Sequence, residues 1–227
     1  MVEMSAAHER EVEIVAAATR LDGTLMAPAP ATGVVAFAHG SGSSRFSPRN
    51  RAVALHLNGA GFATLLLDLL THDEERVDAH TGELRFDVQL LARRLALATD
   101  WLAHEPSTAR LPIAYFGAST GAAAALIAAS ERPGVTAVVS RGGRPDLAGR
   151  ARALVRAPTL LIVGGADVPV IELNRRARAH MQPGVEVRIE IVPGATHLFE
   201  EPGALETVAT LATGWFRRYT SRVGHAA

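Results

Sequence analysis

Leu111-Pro112-Ile113-Ala114-Tyr115-Phe116-Gly117-Ala118-Ser119-Thr120-Gly121-Ala122-Ala123-Ala124-Ala125-Leu126-Ile127-Ala128-Ala129 decides how this chain folds. Its opening is short, apolar and marked by Pro112, the pattern of a buried strand, and its Ala-rich end reads as a helix. Gly117-Ala118-Ser119-Thr120-Gly121 lies between them with no room for a loop, so Ser119 stands on a tight strand-to-helix turn. The flanking glycines let strand and helix approach closely enough for that turn to exist. The turn lifts the hydroxyl out of the sheet and aims the helix N-terminus at whatever the hydroxyl attacks. A bare G-x-S-x-G recurs by chance in Ala/Gly/Ser-rich chains. Between this strand and this helix it marks Ser119 as a nucleophile.

The same alternation extends outward in both directions. Residues 11–18 and 23–26 read as a hairpin turned at Leu21-Asp22-Gly23. Residues 34–38 are an apolar strand running into a Gly/Ser loop, 50–60 a helix, and 63–67 a strand ending at Asp68. Residues 70–86 are polar and mixed, and 87–104 form a long amphipathic helix. Further strands are expected at 113–116, 135–139, 159–163 and 185–192, with helices at 121–129, 171–181 and 204–219. Strands apolar on both faces and separated by helices imply an α/β fold. Its sheet is mostly parallel and covered on both faces, antiparallel only at the first hairpin. No repeat or long linker divides the 227 residues, which read as a single domain with residues 1–10 a flexible lead-in. The Pro-rich Ala27-Pro28-Ala29-Pro30-Ala31 reads as an exposed connection.

Composition excludes several classes of function. The 23 basic residues, all Arg, balance 23 acidic ones, so no net charge draws the chain to nucleic acid or an anionic membrane. The absence of Cys rules out disulfides, thiolate metal sites and a Cys nucleophile. The first ten residues lack a basic start and an apolar core, and no apolar run approaches membrane-spanning length. A cytoplasmic protein, monomer or homodimer, is expected.

Ligands of open parallel sheets bind at the carboxyl ends of the strands, so each strand end is a place to look for chemistry. The strand at 34–38 ends in His39-Gly40-Ser41-Gly42-Ser43-Ser44-Arg45, small residues whose backbone N–H groups can face an oxyanion. The strand at 159–163 ends in Gly164-Gly165-Ala166-Asp167, an acid able to orient an imidazole unless it simply caps the next helix. The last strand is followed by Pro193-Gly194-Ala195-Thr196-His197, where a general base would sit. The order is thus Ser119, Asp167, His197: nucleophile, acid, base. Asp146 is a rival acid one strand earlier, and a helix cap by its alternative reading. His72, Asp73, Glu74 and Glu75 read as a solvated loop without a ligand pattern, so no metal or other cofactor is expected. Asp68 either orients loops or caps a turn. Arg45, Arg49, Arg141 and Arg144 flank two strand-end loops. Arg45 and Arg141 are the candidates for holding a substrate carboxylate or phosphate, against salt bridges that pin the loops.

On these motifs the chain resembles an α/β-hydrolase of the dienelactone-hydrolase-like group, without a large cap and over nearly its whole length. Dienelactone hydrolases proper use a Cys nucleophile; Ser119 in its place favours ordinary ester chemistry. The chain also resembles a subgroup found fused to phosphoribosyltransferase domains, through Ser43-Ser44-Arg45-Phe46-Ser47-Pro48-Arg49-Asn50 and Ser140-Arg141-Gly142-Gly143-Arg144-Pro145-Asp146. The parts imply a serine hydrolase of small carboxylic esters. Ser119 attacks, His197 is the base and Asp167 orients it. Thr120 N–H and a loop N–H, with Ser41 nominated over Gly40 and Gly42, form the oxyanion hole. Amide hydrolysis or acyl transfer would use the same three residues, and an intact set argues against a non-catalytic binding module. The segment between Asp68 and Asp87 is too short for a multi-helix cap. It serves at most as a partial lid hinged at Thr81-Gly82, so short acyl chains are expected, anionic ones if Arg45 or Arg141 lines the pocket.

Overall fold

In the computed structural model, which describes residues 8–220, the chain alternates strands and helices around one sheet. The strands are β1 (His8–Ala16), β2 (Thr19–Ala27), β3 (Val34–Ala38), β4 (Ala63–Leu67), β5 (Ile113–Ala118), β6 (Val138–Arg141), β7 (Thr159–Gly164) and β8 (Val187–Val192). The helices are α1 (Pro48–Gly59), α2 (His72–Thr81), α3 (Val88–Leu102), α4 (Thr120–Glu131), α5 (Val168–Arg178) and α6 (Ala204–Thr220), with 3-10 segments at Leu84–Phe86 and Pro145–Leu154. The sheet runs β1-β2-β4-β3-β5-β6-β7-β8. It is parallel from β4 to β8, and β2 pairs antiparallel with both β1 and β4. The Ser119 turn follows β5, at the middle of this order, with the β3 and β4 loops on one side and the β7 and β8 loops on the other. Among the described residues no helix is long and apolar enough to cross a membrane.

Strand alternation divides the core in two. Val34, Ala36 and Ala38 face a cluster with α3 and α4, while Val35 and Phe37 face one with α1 and α6. This double burial explains why the strands read as continuous apolar runs rather than alternating ones. Phe37 and Phe116 meet on the α1–α6 face with ring centroids 4.9 Å apart, and neither is more than 1% exposed. Truncating such a ring leaves a cavity as well as losing its transfer free energy. Phe116→Ala is therefore expected to destabilise the fold by about 3–5 kcal/mol in denaturant unfolding.

Of the flexible lead-in expected at residues 1–10, residues 1–7 lie outside those described and 8–10 already belong to β1, while α5 spans Val168–Arg178 where 171–181 was expected. Four further expectations change. The hairpin turns at Ala17-Ala18, where Ala17 takes φ 52°, and not at Leu21-Asp22-Gly23. Gly23 lies inside β2 because β4 passes close to it: a Cβ there would come within 3.1 Å of the Leu65 side chain. The strand expected at 135–139 runs from Val138 to Arg141, since its last two residues, though polar, are buried in the sheet at 0% and 7% exposure. Helix α1 starts two residues early, at Pro48, with the Ser47 side chain accepting from Asn50 N–H. The polar stretch 70–86 contains a real helix, so His72, Asp73, Glu74 and Glu75 form its first turn rather than a loop. Thr71 and Glu74 make a reciprocal capping box, and Gly82, in the left-handed region at φ 67°, ends the helix at the expected hinge. That box was legible in Thr71-His72-Asp73-Glu74, but a mean composition so polar hides a helix whose only sequence marks are its ends.

Candidate active site

Ser119 occupies the turn between β5 and α4 with φ 51° and ψ −119°, a conformation that costs a non-glycine residue on the order of 1–3 kcal/mol. The glycines on either side permit it. A Cβ on Gly117 would lie 2.5 Å from Ala122 Cα, and one on Gly121 would lie 2.2 Å from the Ala38 carbonyl oxygen. Ser119 N–H donates to the Arg141 carbonyl (3.1 Å), and the Ser119 carbonyl accepts from Arg144 N–H (3.1 Å). The turn is thus fixed to β6.

Two loops from the far strands complete the arrangement. Asp167 precedes α5 at its N-cap position, yet its side chain makes no cap bond. Its Oδ2 lies 2.7 Å from His197 Nδ1, and His197 Nε2 lies 3.3 Å from Ser119 Oγ. An Nδ1–H donating to the carboxylate leaves Nε2 as the acceptor facing the serine hydroxyl. The Asp167 carboxylate is 13% exposed and the imidazole 37%, so the His197 ring remains open to solvent. Close packing holds the loops: a Cβ on Gly142 would lie 3.0 Å from the His197 carbonyl oxygen, and one on Gly164 2.4 Å from that of Ala195. Asp146 is elsewhere. Arg144 clamps its carboxylate through Nε (2.9 Å) and Nη2 (2.8 Å), so it neither meets His197 nor caps a helix.

The β3 loop closes over the serine. A Cβ on Gly40 would lie 3.2 Å from Ser119 Cβ, so only glycine brings this backbone so near. Ser41 N–H donates to Thr120 Oγ1 (2.8 Å), which joins the loop to the start of α4. Thr120 N–H is the first of that helix and has no partner within it. His39, given no role by the sequence, staples the loop in place. Leu69 N–H donates to its Nε2 (3.2 Å), which leaves Nδ1–H to donate to the Gly40 carbonyl (2.9 Å). Burial lowers its pKa and keeps the ring neutral, as that pair of bonds requires. Its place at a strand end was the one available signal.

The structure gives the two candidate arginines partners within the protein. Arg45 pairs with Asp68 through both its backbone N–H (2.7 Å) and its guanidinium, and also meets Glu11 (3.1 Å) and Asp22 (3.6 Å). It ties the β3 loop to the hairpin and β4, and Asp68 is the loop-orienting residue. Arg141 is 7% exposed and shares a face of β6 with Val139, toward α1 and α6. Its Nη2 donates to Asn50 Oδ1 (3.2 Å) and its guanidinium lies 6.0 Å from the Phe199 ring centre. Burial, with Arg49 nearby, lowers its pKa to about 10. Neither arginine lines the cavity of about 180 Å³ beside the oxyanion loop, whose walls include Gly40, Ser41, Gly42, Leu70, Leu91 and, from α2, Ala79.

The hydrogen-bonded series Ser119, His197 and Asp167, on three strand ends of a mostly parallel sheet, sits within the stretch that the family model matches, residues 21–223, that of the dienelactone hydrolase family. The chain belongs to that family. A crystal structure of dienelactone hydrolase from Anabaena variabilis is similar at 57% identity and TM-score 0.91, covering 94% of this chain and 98% of that one. Est1E from Butyrivibrio proteoclasticus, at 17% identity and TM-score 0.74 over 92% of this chain and 98% of its own, shares the fold. A Mycobacterium tuberculosis protein named "Putative phosphoribosyl transferase" is 60% identical over 92% of this chain. The match takes in only 46% of that protein, so the chain spans about half the length of this relative. Family membership gives the chain a dienelactone-hydrolase-family fold, within which Ser119, His197 and Asp167 are hydrogen-bonded in series.

Proposed function

We propose that the protein hydrolyses small carboxylic esters through an acyl-enzyme on Ser119. The observation that carries this reading is the unbroken chain Asp167 Oδ2–His197 Nδ1 (2.7 Å) and His197 Nε2–Ser119 Oγ (3.3 Å). His197 takes the serine proton as Oγ attacks the acyl carbon, and Asp167 fixes the tautomer and stabilises the imidazolium. The alkoxide leaves from the His197 side and receives that proton. Water, activated by the same nitrogen, then releases the acid. The oxyanion forms against Thr120 N–H and the Ser41 N–H, which a rotation of the Thr120 hydroxyl releases toward it. Each such donor is worth on the order of 3 kcal/mol in barrier. Phosphoribosyl transfer, the activity in the relative's name, is displacement at a sugar carbon and needs no serine nucleophile.

The cavity sets the size of the acyl group. Its 180 Å³ lies below the ~300–1,000 Å³ of pockets that hold drug-sized ligands, and α2 is the only helix between β4 and α3. Added methylenes gain up to ~0.8 kcal/mol each only while they are buried. Fluorophosphonate labelling of Ser119, with p-nitrophenyl acetate, butyrate and octanoate assayed beside an anilide, tests the reading. Labelling, ester turnover well above anilide turnover, and a kcat/KM that stops rising after a few carbons are expected. Absence of both labelling and turnover would refute the hydrolase reading, and a steady rise through octanoate to palmitate would refute the small acyl site.

A further inference from the structure

The cavity beside the oxyanion loop is lined by Ser43, Asp78 and two further polar side chains that the reaction does not use. Both come from the short segment between β4 and α3. Glu75, on α2, lines it, and its carboxylate makes no hydrogen bond among the described residues. Arg85, from the 3-10 turn that follows, lines it too. Its Nε donates to Asp78 Oδ2 (2.6 Å) and its Nη2 to the Asp78 carbonyl (2.9 Å). Nη1 has no partner there, and lies 3.7 Å from where a Cβ on Gly42 would stand. The clamp on Asp78 sets the guanidinium plane, so this free N–H is presented to the cavity at a fixed position. Leu70, Ala79 and Leu91 supply apolar wall.

The side of the serine decides which half of an ester enters. The leaving oxygen must sit against His197 Nε2, whose loop follows β8. The cavity lies on the opposite side of β5, between the β3 loop and α2, with Gly40 and Ser41 of its wall beside Ser119 and Thr120, which is where an acyl chain would run.

The charge of its walls is not that of an anion site. Arg85 is offset by Asp78, and His39 is neutral, so an ionised Glu75 leaves the lining with a net negative charge. Groups beyond it do not reverse this: Glu75 faces Asp68, Asp22, His72 and Arg45, and Arg45 is itself held by Asp68, Glu11 and Asp22. A carboxylate entering here meets repulsion. A hydroxyl meets no such repulsion, and can donate to Glu75 or accept from Arg85 Nη1.

We propose that Glu75 and Arg85 are specificity-determining residues that select an uncharged, hydroxyl-bearing acyl group and reject one ending in a carboxylate. This rests on the ester-hydrolase reading and reverses the preference that a substrate-facing Arg45 or Arg141 would have given. It also has a pH signature. Partial desolvation at the cavity wall first, then the Asp68 charge, raises the pKa of the otherwise exposed Glu75 from its ordinary value. Rejection of a carboxylate is weakest while Glu75 is protonated and grows as pH rises through that raised value.

The test compares ethyl butyrate, ethyl 3-hydroxybutyrate and monoethyl succinate, with the released acid measured by chromatography and butyrate as the internal reference at each pH. For the wild type, kcat/KM is expected to be on the order of tenfold higher for the hydroxy ester than for butyrate, and at least as much lower for the succinate ester. The succinate-to-butyrate ratio should fall from acidic to neutral pH. The ratio cancels pH effects common to both esters, and the comparison with Glu75→Gln separates the pocket from the succinate ester's own ionisation. Glu75→Gln, which removes the charge and keeps the shape, should raise that ratio and flatten its pH dependence. Arg85 also clamps a buried carboxylate, so Glu75 is the cleaner position to vary. Succinate turned over as well as butyrate, or a ratio that Glu75→Gln leaves unchanged, overturns the assignment while butyrate turnover keeps the hydrolase reading. No turnover of any ester, with Ser119 unlabelled, removes both.

Discussion

Ser119→Ala and His197→Ala are each expected to lower kcat for a short ester by several orders of magnitude, and the double variant should be little worse than either alone. The non-additivity follows from the geometry. Ser119 Oγ is useful only when His197 Nε2, 3.3 Å away, takes its proton, so losing either partner removes the same step. What survives comes from the oxyanion donors and binding, neither of which depends on that bond. The fold should survive as well. Apart from Oγ to His197, Ser119 makes its tertiary hydrogen bonds through backbone groups, to Arg141 and Arg144, which alanine retains. Unfolding curves of the single variants that match the wild type, beside the lost activity, are the expected outcome. Clean additivity of the two losses would argue that the residues do not share a mechanism.

Asp167→Asn is expected to cost roughly a thousandfold or more in kcat. An amide in that place can donate to Nδ1 and so favour the tautomer that carries its proton on Nε2, where it cannot accept from serine. Asp146→Asn is the control, because sequence order alone admits either acid. The Asp146 carboxylate is bound by Arg144, with side-chain exposures of 26% and 38%, so its loss is that of a partly solvated ion pair, about 0–1 kcal/mol of stability with kcat kept. Steady-state kinetics and thermal unfolding of the two variants, measured side by side, separate the roles. A large kcat loss in Asp146→Asn, with a small one in Asp167→Asn, would move the acid to the earlier strand.

How legible the molecule is depends on whether a feature is local. Helices α3 and α6 and strands β3, β4 and β7 follow from apolar runs and end residues, and are found within a residue or two of where they are expected. The elements that moved obey distant partners. Asp22-Gly23 looks like a turn, yet β4 needs a residue without a side chain at that point of β2. Ser140 and Arg141 look like loop, yet β5 and β7 extend pairing through them.

By itself the sequence determined the α/β alternation, the turn that exposes Ser119, and the strand ends that carry Asp167 and His197. Each is a statement about neighbours in the chain: a glycine spacing, an apolar run, a polar residue directly after a strand. Only the tertiary structure decided what the charged side chains are for. An arginine's role depends on which carboxylates lie within about 4 Å, and those come from other strands. So Arg45 became a tie to Glu11, Asp22 and Asp68, while Arg141 was buried against Asn50 and Phe199 on the face toward α1 and α6. Arg85, unremarked in the sequence, reached the cavity wall with Glu75. A long flexible side chain has no fixed direction until packing gives it one. Backbone geometry is local and readable, and charge pairing is not.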